Sequence, residues 1–521
     1  MNEHVKENMM RRVALGDCLR RSSRRYPNKV AVKQGNRSVT YKELNNMANQ
    51  LGNSLIKRGL TKDAKIAFVA ANCVEFFIAF YGIAKAGMTI VPINPVYKPS
   101  ELIYSVNDSD CEALIFDGRI HPLVKESLSG FEKVKHIFSF DLPNQGYEDL
   151  YEFMKEGSTD EVEVHIEDRD VVAIYYTGGT TSFPRGAQLT HLSIFVDISE
   201  FLMDLHFSPE DRTGTALPLF HVAMFVCSQF SMFTGGTLVL IPQVDPKVIM
   251  EAIEKEKLTN ILLIPPLFRA ILYHPEFGKY DLSSLRLVGY FGSVMPEDLI
   301  HEVMDKLCPN LYLSFGQTEM SPCVTCFKPE DHLRKIKSLG ISTVHCEIAV
   351  MDNDGNFLPP GETGEFVYRS PSTMNGYYNK AEDNKKAFEY GWFHSGDLGY
   401  LDEDGFVYFV DRKKDMIKSG GENLASIEVE KLIYQIPKVQ EVHVIGLPHE
   451  RWVEAVTAFI IPKPGEKITE EETIAFCKEK MAGFKVPKRV IFGTELPRNS
   501  VGKVLKYKLK EKYKDLYKAA T

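Results

Sequence analysis

Between Val39 and Asn94 the hydrophobic period switches back and forth between that of a helix and that of a strand. "VTYKELNNMANQLGNSLIKRGL" carries Leu44, Met47, Leu51 and Leu55 at helical spacing, which predicts a helix with one apolar face. "KIAFVAA" is a short apolar run that predicts a strand. "CVEFFIAFYGIAKAG" predicts a second helix, stopping at Gly87, and "TIVPIN" a second strand. Strands this apolar need cover on both faces. Strands joined through helices pair in parallel, so the pattern implies a mostly parallel sheet wrapped by helices. "DVVAIYY", Asp170 to Tyr176, continues the pattern as a strand, and "THLSIFVDISEFLMDL" as a helix.

From Gly361 the texture changes. "GETGEFVYRS" and "GWFHSGDLGYLDEDGFVYFVDRKKD" are short strands broken by Gly and Asp turns, the pattern of antiparallel hairpins. "SIEVEKLIYQI", "VQEVHVIGLP" and "EAVTAFIIP" then predict a small α+β unit. The 521 residues are too many for one core. The charged, turn-rich stretch "VDRKKDMIKSGGEN", Val410 to Asn423, is the expected boundary. The expected domains are 1–411 and 412–521.

The totals exclude several classes. The formal net charge of −8 leaves no basic footprint for nucleic acid. No run of about 18 apolar residues exists. The nearest, Ile261 to Tyr273, is broken by Pro265, Pro266 and Arg269, so no membrane span is expected. The N-terminus is too charged for a secretory signal, and Glu3, Glu7 and Asp17 argue against a transit peptide; an amphipathic opening helix is expected. Nine cysteines at irregular spacings make no disulfide framework, and a reducing cytoplasm fits them. Cys323 and Cys326 form the one C-x-x-C, with no second ligand pair at zinc-site spacing, and read as two thiols in a strand or loop.

The chemistry concentrates in "YTGGTTSFPRGAQLTH", Tyr176 to His191. A strand, a Gly/Thr/Ser loop and a helix in succession offer amides, hydroxyls and a helix N-terminus to a phosphate. The Walker pattern G-x-x-x-x-G-K-[ST] does not fit, because Arg185-Gly186 stands where the pattern closes. Six further stretches follow in order: "LPLFHVAMF" with His221, "GYFGSVMP", "SFGQTE", "WFHSGDLGYLDEDG", "VDRKKDMIKSGGEN" and "LPRNSVGKVLKYKLK". Alone, each has a plain reading. His221 beside Phe220 and Val222 reads as a core histidine, "GYFG" as a buried strand running into a turn, and Thr318-Glu319 as a common dipeptide. Asp402 and Asp404 read as turn residues, the Val410 stretch as a linker, and Lys503, Lys506, Lys508 and Lys510 as a solvated face.

In this order and over nearly the whole chain, the motifs resemble those of the adenylate-forming, or AMP-binding, superfamily. Its members include acyl-CoA synthetases, aryl-CoA ligases, firefly luciferase and peptide-synthetase adenylation domains. The resemblance implies a large N-terminal domain of helix-wrapped sheets plus a distorted β-barrel, and a small mobile C-terminal α+β domain hinged near Lys414. It also implies that Thr177, Gly178, Gly179, Thr180, Thr181, Ser182 and Arg185 hold the β- and γ-phosphates of ATP. Ser182 replaces the family's usual glycine and Arg185 its usual lysine, which keeps the charge but offers a planar fork. His221 resembles the gate beside the acyl pocket. Gly292 and Ser293 are expected along the adenine, with Ser314, Phe315 and Gly316, Phe315 stacking on the base. Thr318 is expected at the α-phosphate or acyl carboxylate, and Glu319 at Mg2+. Asp397 and Arg412 are expected on the ribose. Gly420 and Gly421 are expected at the thioester-forming site, with Lys503 as the adenylation lysine.

The implied activity is that of an ATP-dependent acyl-CoA synthetase. A carboxylic acid attacks the α-phosphorus, pyrophosphate leaves, and the acyl-adenylate passes its acyl group to coenzyme A. Amino-acid-activating relatives usually carry an aspartate where His221 stands, and Val222, Ala223, Met224 and Phe225 are apolar. A medium- or long-chain fatty acid is therefore the first expectation and an aromatic acid the second. Chain length stays open, because an apolar pocket discriminates by only about 1–3 kcal/mol per methylene. A carrier protein as acceptor, a luciferase-like oxygenase and a nucleotide-binding protein without catalysis are the rival readings. A homodimer is left open.

Overall fold

The computed structural model describes residues 3–142, 145–177, 184–292, 295–419, 422–498 and 504–517. They form two compact units. One takes in the described residues up to Ile348 together with Tyr368–Phe393; the other holds Ala349–Val367 and the described residues from His394 on.

The first unit contains two large sheets. The seven-stranded sheet runs Glu148–Asp149, His136–Phe140, Ala113–Asp117, Lys65–Val69, Thr89–Ile93, Val171–Thr177, Arg185–Thr190. Neighbours are parallel except the last pair. Ile66, Ala67, Phe68 and Val69 are all buried, as the unbroken apolar run requires of a strand covered on both faces. The covering helices are those the sequence predicts. Tyr41–Lys57 opens with Thr40 and Glu43 in a reciprocal capping box, and it buries Leu44, Leu51 and Leu55. Val74–Lys85 is buried along its whole length, which is why it is apolar all round. The two helices meet where side chains vanish. A Cβ on Gly52 would stand 2.8 Å from the Gly82 carbonyl oxygen, and one on Gly82 2.9 Å from that of Ala48.

The nine-stranded sheet runs Ile341–Ser342, Cys323–Phe327, Leu311–Gly316, Leu287–Tyr290, Asn260–Leu263, Arg212–Thr215, Thr237–Leu240, Val30–Gln34, Arg37–Thr40. Its centre is parallel and its two ends are antiparallel. Cys323 and Cys326 lie three apart on one strand, so they face opposite ways. Both are buried, and burial pushes both thiols up. All nine cysteines are free and buried.

The second unit carries most of a four-stranded sheet, Glu347–Met351, Gly364–Arg369, Phe393–Leu401 and Val407–Arg412, the last three strands from the hairpin-rich stretch. It also carries the small α+β unit. There the long antiparallel pair Val439–His449 and Val453–Pro462 is flanked by Ile417–Ser419, Glu422–Leu424 and Arg489–Phe492. Alternation along this pair sends Val442, Val444, Val456 and Ile460 to one face, with the helix Ser426–Ile433. It sends Ile445, Leu447 and Phe459 to the other, with Leu509.

Two expectations are corrected. The glycine-rich loop is not followed at once by a helix. Arg185–Thr190 is a strand paired antiparallel with Val171–Thr177, and the helix begins only at His191, capped by Thr190. Ala187 and Leu189 alternate into the core while Gln188 does not, the period of a strand. The opening helix is two helices, Glu3–Arg11 with no buried residue and Leu15–Arg25 burying Leu15, Cys18 and Leu19. Between them the Arg12 guanidinium turns back to Asp17 at 2.9 and 3.1 Å and donates to the Val164 carbonyl at 2.6 Å. Among the described residues no helix is long and apolar enough to cross a membrane.

One buried group makes the first unit sensitive to acid. His191 is 1% exposed, and its Nδ1 accepts the Leu15 N–H at 3.2 Å. Burial pushes its pKa down to about 4. The unfolded chain, titrating near 6.5, therefore binds more protons between those values, and stability rises with pH across that window. Lowering the pH from 7 to 5 is predicted to remove about 2 kcal/mol through this residue. Urea denaturation of wild type and His191→Gln at both pH values checks it: the variant loses less on acidification.

Candidate functional site

Two of the sequence motifs, the glycine-rich stretch and "SFGQTE", meet in the first unit, and the His221 motif meets "GYFG" there. Thr177 and Arg185 are register partners at the ends of the last two strands of the seven-stranded sheet, so the loop between them is closed by a β-ladder. Thr177 Oγ1 donates to the Arg185 carbonyl at 3.4 Å. Gly178, Gly179, Thr180, Thr181 and Ser182 lie outside the described residues, as do Ser293, Gly420, Gly421 and Lys503. The Arg185 side chain is held by two groups. Its guanidinium carbon lies 4.0 Å from the centre of the Tyr377 ring, and it pairs with Asp383 at 3.6 Å.

The strand Leu311–Gly316 delivers the second motif. Ser314 is buried, with its hydroxyl 2.7 Å from Cys323 Sγ, and Phe315 is half-buried at the strand's end. At Gly316 the chain turns back on itself, and a Cβ there would stand 2.2 Å from the Pro322 carbonyl oxygen. The turn Thr318–Met320 follows. Glu319 is buried, its carboxylate accepts the Tyr377 hydroxyl at 2.7 Å, and its carbonyl accepts the Met374 N–H at 2.8 Å. Arg185 and Glu319 thus meet through one tyrosine. Gln317, next to Thr318, has a buried amide nitrogen with no hydrogen-bond partner among the described residues.

His221 caps the helix Val222–Thr234 through Nδ1, which accepts the Ala223 N–H at 3.3 Å. Its ring centre lies 5.8 Å from that of Phe291, so the third motif meets the "GYFG" turn, where Gly292 sits at φ +83. The loop leading to His221 is pinned by Asn72, whose amide donates to the Leu217 carbonyl and accepts the Leu219 N–H, each at 2.9 Å. Phe225, read with the apolar group beside His221, is fully buried against Phe80 at 4.4 Å and Tyr175 at 5.9 Å. It belongs to the core, because a helix sends residue i+3 of this short run to its packed side.

In the second unit Asp397 and Arg412 are register partners on neighbouring strands, paired at 3.0 Å between Nε and Oδ1. The turn before Asp397 is fastened by Glu365. One of its carboxylate oxygens accepts the Gly396 N–H at 2.9 Å, and the other meets Lys413 Nζ at 2.9 Å and His394 Nδ1 at 3.2 Å. Burial alone would raise the Glu365 pKa; these donors outweigh it and bring it to about 2. Asp411 accepts the backbone N–H of Arg412 at 2.7 Å and that of Ser426, at the start of a helix. Burial raises its pKa, which nearby Lys506 partly offsets. Lys414 is exposed between them.

Sequence reasoning missed Tyr377, Glu365, Asp411 and Asn72. Tyr377, Glu365 and Asn72 lie outside the quoted motifs, and Asp411 lies within the Val410–Asn423 stretch; each matters through a partner outside its own motif.

The chain matches the family model of the AMP-binding enzyme over residues 19–378 and that of the AMP-binding enzyme C-terminal domain over residues 428–503. It is 34% identical over 475 residues to the long-chain-fatty-acid–CoA ligase FadD13 of Mycobacterium tuberculosis, covering 91% of this chain and 93% of that protein. It is 32% identical over 506 residues to a feruloyl-CoA synthase of Amycolatopsis sp, covering 97% and 100%. The crystal structure of the anthranilate CoA ligase AuaEII in complex with anthranoyl-AMP matches with a TM-score of 0.87 at 28% identity, covering 96% of this chain and 97% of that one.

The close approach at Gly316 makes a stability prediction. Gly316→Ala forces the Pro322 peptide to move and is expected to cost about 1–3 kcal/mol. The midpoint of urea denaturation reads it; an unchanged midpoint contradicts the packing described.

Proposed function

Because the chain belongs to the AMP-binding enzyme family and is an acid–thiol ligase, we propose that it activates a medium- or long-chain fatty acid as the acyl-adenylate and passes the acyl group to coenzyme A. The observation that carries the reading is the meeting of Arg185 and Glu319, residues of two distant motifs, on one side chain. ATP and CoA are the cosubstrates.

The chemistry needs these groups. A carboxylate is a poor electrophile, and its attack on the α-phosphorus brings two anions together. Arg185 and the loop amides, with Lys503, offset that repulsion and stabilise the charge that grows on the departing pyrophosphate. Thr318 orients the α-phosphate or the acyl carboxylate. Phe315 offers a π face to adenine beside Gly292, Ser293, Ser314 and Gly316. Asp397, oriented by Arg412, takes the ribose hydroxyls with its two oxygens. Glu319 fits Mg2+: a carboxylate oxygen donor fixed by a hydroxyl suits a hard cation that binds through one or two carboxylates plus substrate phosphates. When bound, that ion neutralises phosphate charge.

Lys414 serves as the hinge between the domains 1–411 and 412–521, and Gly420 and Gly421 approach the thioester-forming site in the second half-reaction. His221, held as a helix cap against Phe291, gates the acyl pocket. The free, buried cysteines support a reducing compartment, the cytoplasm. A second reading, an aromatic acid bearing a hydrogen-bond acceptor, is favoured by the buried amide nitrogen of Gln317, which has no partner among the described residues.

Acid-dependent ATP–pyrophosphate exchange over a panel of fatty and aromatic acids, followed by CoA addition, decides among these. Exchange with fatty acids and CoA-dependent AMP release are expected. Exchange confined to aromatic acids favours the second reading, AMP release that ignores free CoA favours a carrier protein, and no exchange with any acid overturns catalysis. Lys503→Ala is predicted to slow adenylate formation at least ~100- to 1000-fold. Lys414→Pro is predicted to spare adenylation and block thioester formation, as separate assays of the two half-reactions read out; equal loss in both contradicts the hinge.

A further inference from the structure

Tyr377 sits in "NGYY", outside the motifs quoted above, yet its placement is heavily determined. The segment Met374–Tyr378 lies along the strand Arg185–Thr190. Gln188 N–H donates to the Gly376 carbonyl at 3.0 Å, Asn375 N–H to the Gln188 carbonyl at 2.9 Å, and Tyr378 N–H to the Gly186 carbonyl at 2.8 Å. Asn384 holds the Tyr377 peptide on both sides, accepting its N–H at 2.7 Å and donating to its carbonyl at 2.9 Å. The neighbouring tyrosine is tied off separately, Tyr378 Oη donating to Asp110 at 2.9 Å. What remains to Tyr377 is a side chain 4% exposed, with its ring under the Arg185 guanidinium at 4.0 Å and its hydroxyl on Glu319 at 2.7 Å.

From this geometry we infer that Tyr377 is a positioning residue for phosphate and metal binding, which sets the plane of the Arg185 guanidinium with its ring and the rotamer of the Glu319 carboxylate with its hydroxyl. The inference rests on the roles proposed above for Arg185 and Glu319. It also explains the arginine. A flat guanidinium lying over an aromatic face keeps its N–H groups pointing outward in its own plane, above the ring, whereas a lysine ammonium has no plane to align.

The test uses binding of ATP without acid, so that no turnover is needed. Mg2+ is titrated against calorimetric ATP binding to wild type and Tyr377→Phe, which keeps the ring and loses only the hydroxyl. The half-saturating Mg2+ concentration is expected to rise about tenfold, the usual scale for removing a group that orients a metal ligand, with ATP binding in EDTA unchanged. A Mg2+ dependence equal to wild type overturns the hydroxyl's role. A double-mutant cycle of Arg185→Lys with Tyr377→Leu tests the ring. Non-additive losses of ATP affinity in EDTA are expected, and strictly additive ones overturn the stacking role. Wild-type protein without acid-dependent pyrophosphate exchange would defeat the proposed function; wild-type exchange with an indifferent Tyr377→Phe defeats only this inference.

Discussion

The antiparallel ladder between Val171–Thr177 and Arg185–Thr190 is the constraint from which the rest of the candidate site follows. It pairs Thr177 with Arg185 and so fixes both ends of the glycine-rich loop. A hairpin-like closure of this kind limits the loop far more than a free connection to a helix would, because both ends are held by backbone hydrogen bonds in a sheet whose inner strands are buried. The same strand then receives Met374–Tyr378 on its other edge, which carries the Tyr377 ring to Arg185 and its hydroxyl to Glu319. Three stretches far apart in sequence become neighbours through one strand.

In the second unit the ribose candidates are organised by the same logic of cross-strand pairing. Asp397 faces Arg412 by register, and Glu365 fastens the turn beside Asp397 with three donors. Asp411, one residue before Arg412, caps the helix that begins at Ser426, and Lys506 supports that cap by donating to Ser426 Oγ at 2.7 Å while pairing with Glu430 at 2.8 Å. A hinge at Lys414 therefore lies between two ends that a single buried carboxylate joins.

Much of this was legible in the sequence because the signals were local. The helix over Tyr41–Lys57 follows from an apolar stripe and a capping box, and the strands Lys65–Val69 and Thr89–Ile93 from unbroken apolar runs. The motif residues Arg185, Glu319, Asp397 and Arg412 were named from their order along the chain. The strand Arg185–Thr190 was hidden because six residues with a glycine and three polar side chains give only a short apolar alternation, and the pairing that makes them a strand comes from Val171–Thr177. Tyr377 and Glu365 were hidden for a related reason. A tyrosine or a glutamate gains its role from what folds against it, and nothing in its own neighbourhood says that Arg185 or His394 will arrive there.

Arg185 and Glu319 are proposed to hold the phosphate end of ATP together. A crystal structure with Mg2+ and a non-hydrolysable ATP analogue tests it most directly. The terminal phosphate is expected within salt-bridge distance, about 4 Å, of the Arg185 guanidinium, and the metal ion on the Glu319 carboxylate with the Tyr377 hydroxyl still bound to it. A triphosphate bound elsewhere, with Arg185 and Glu319 left touching only Tyr377, would contradict it.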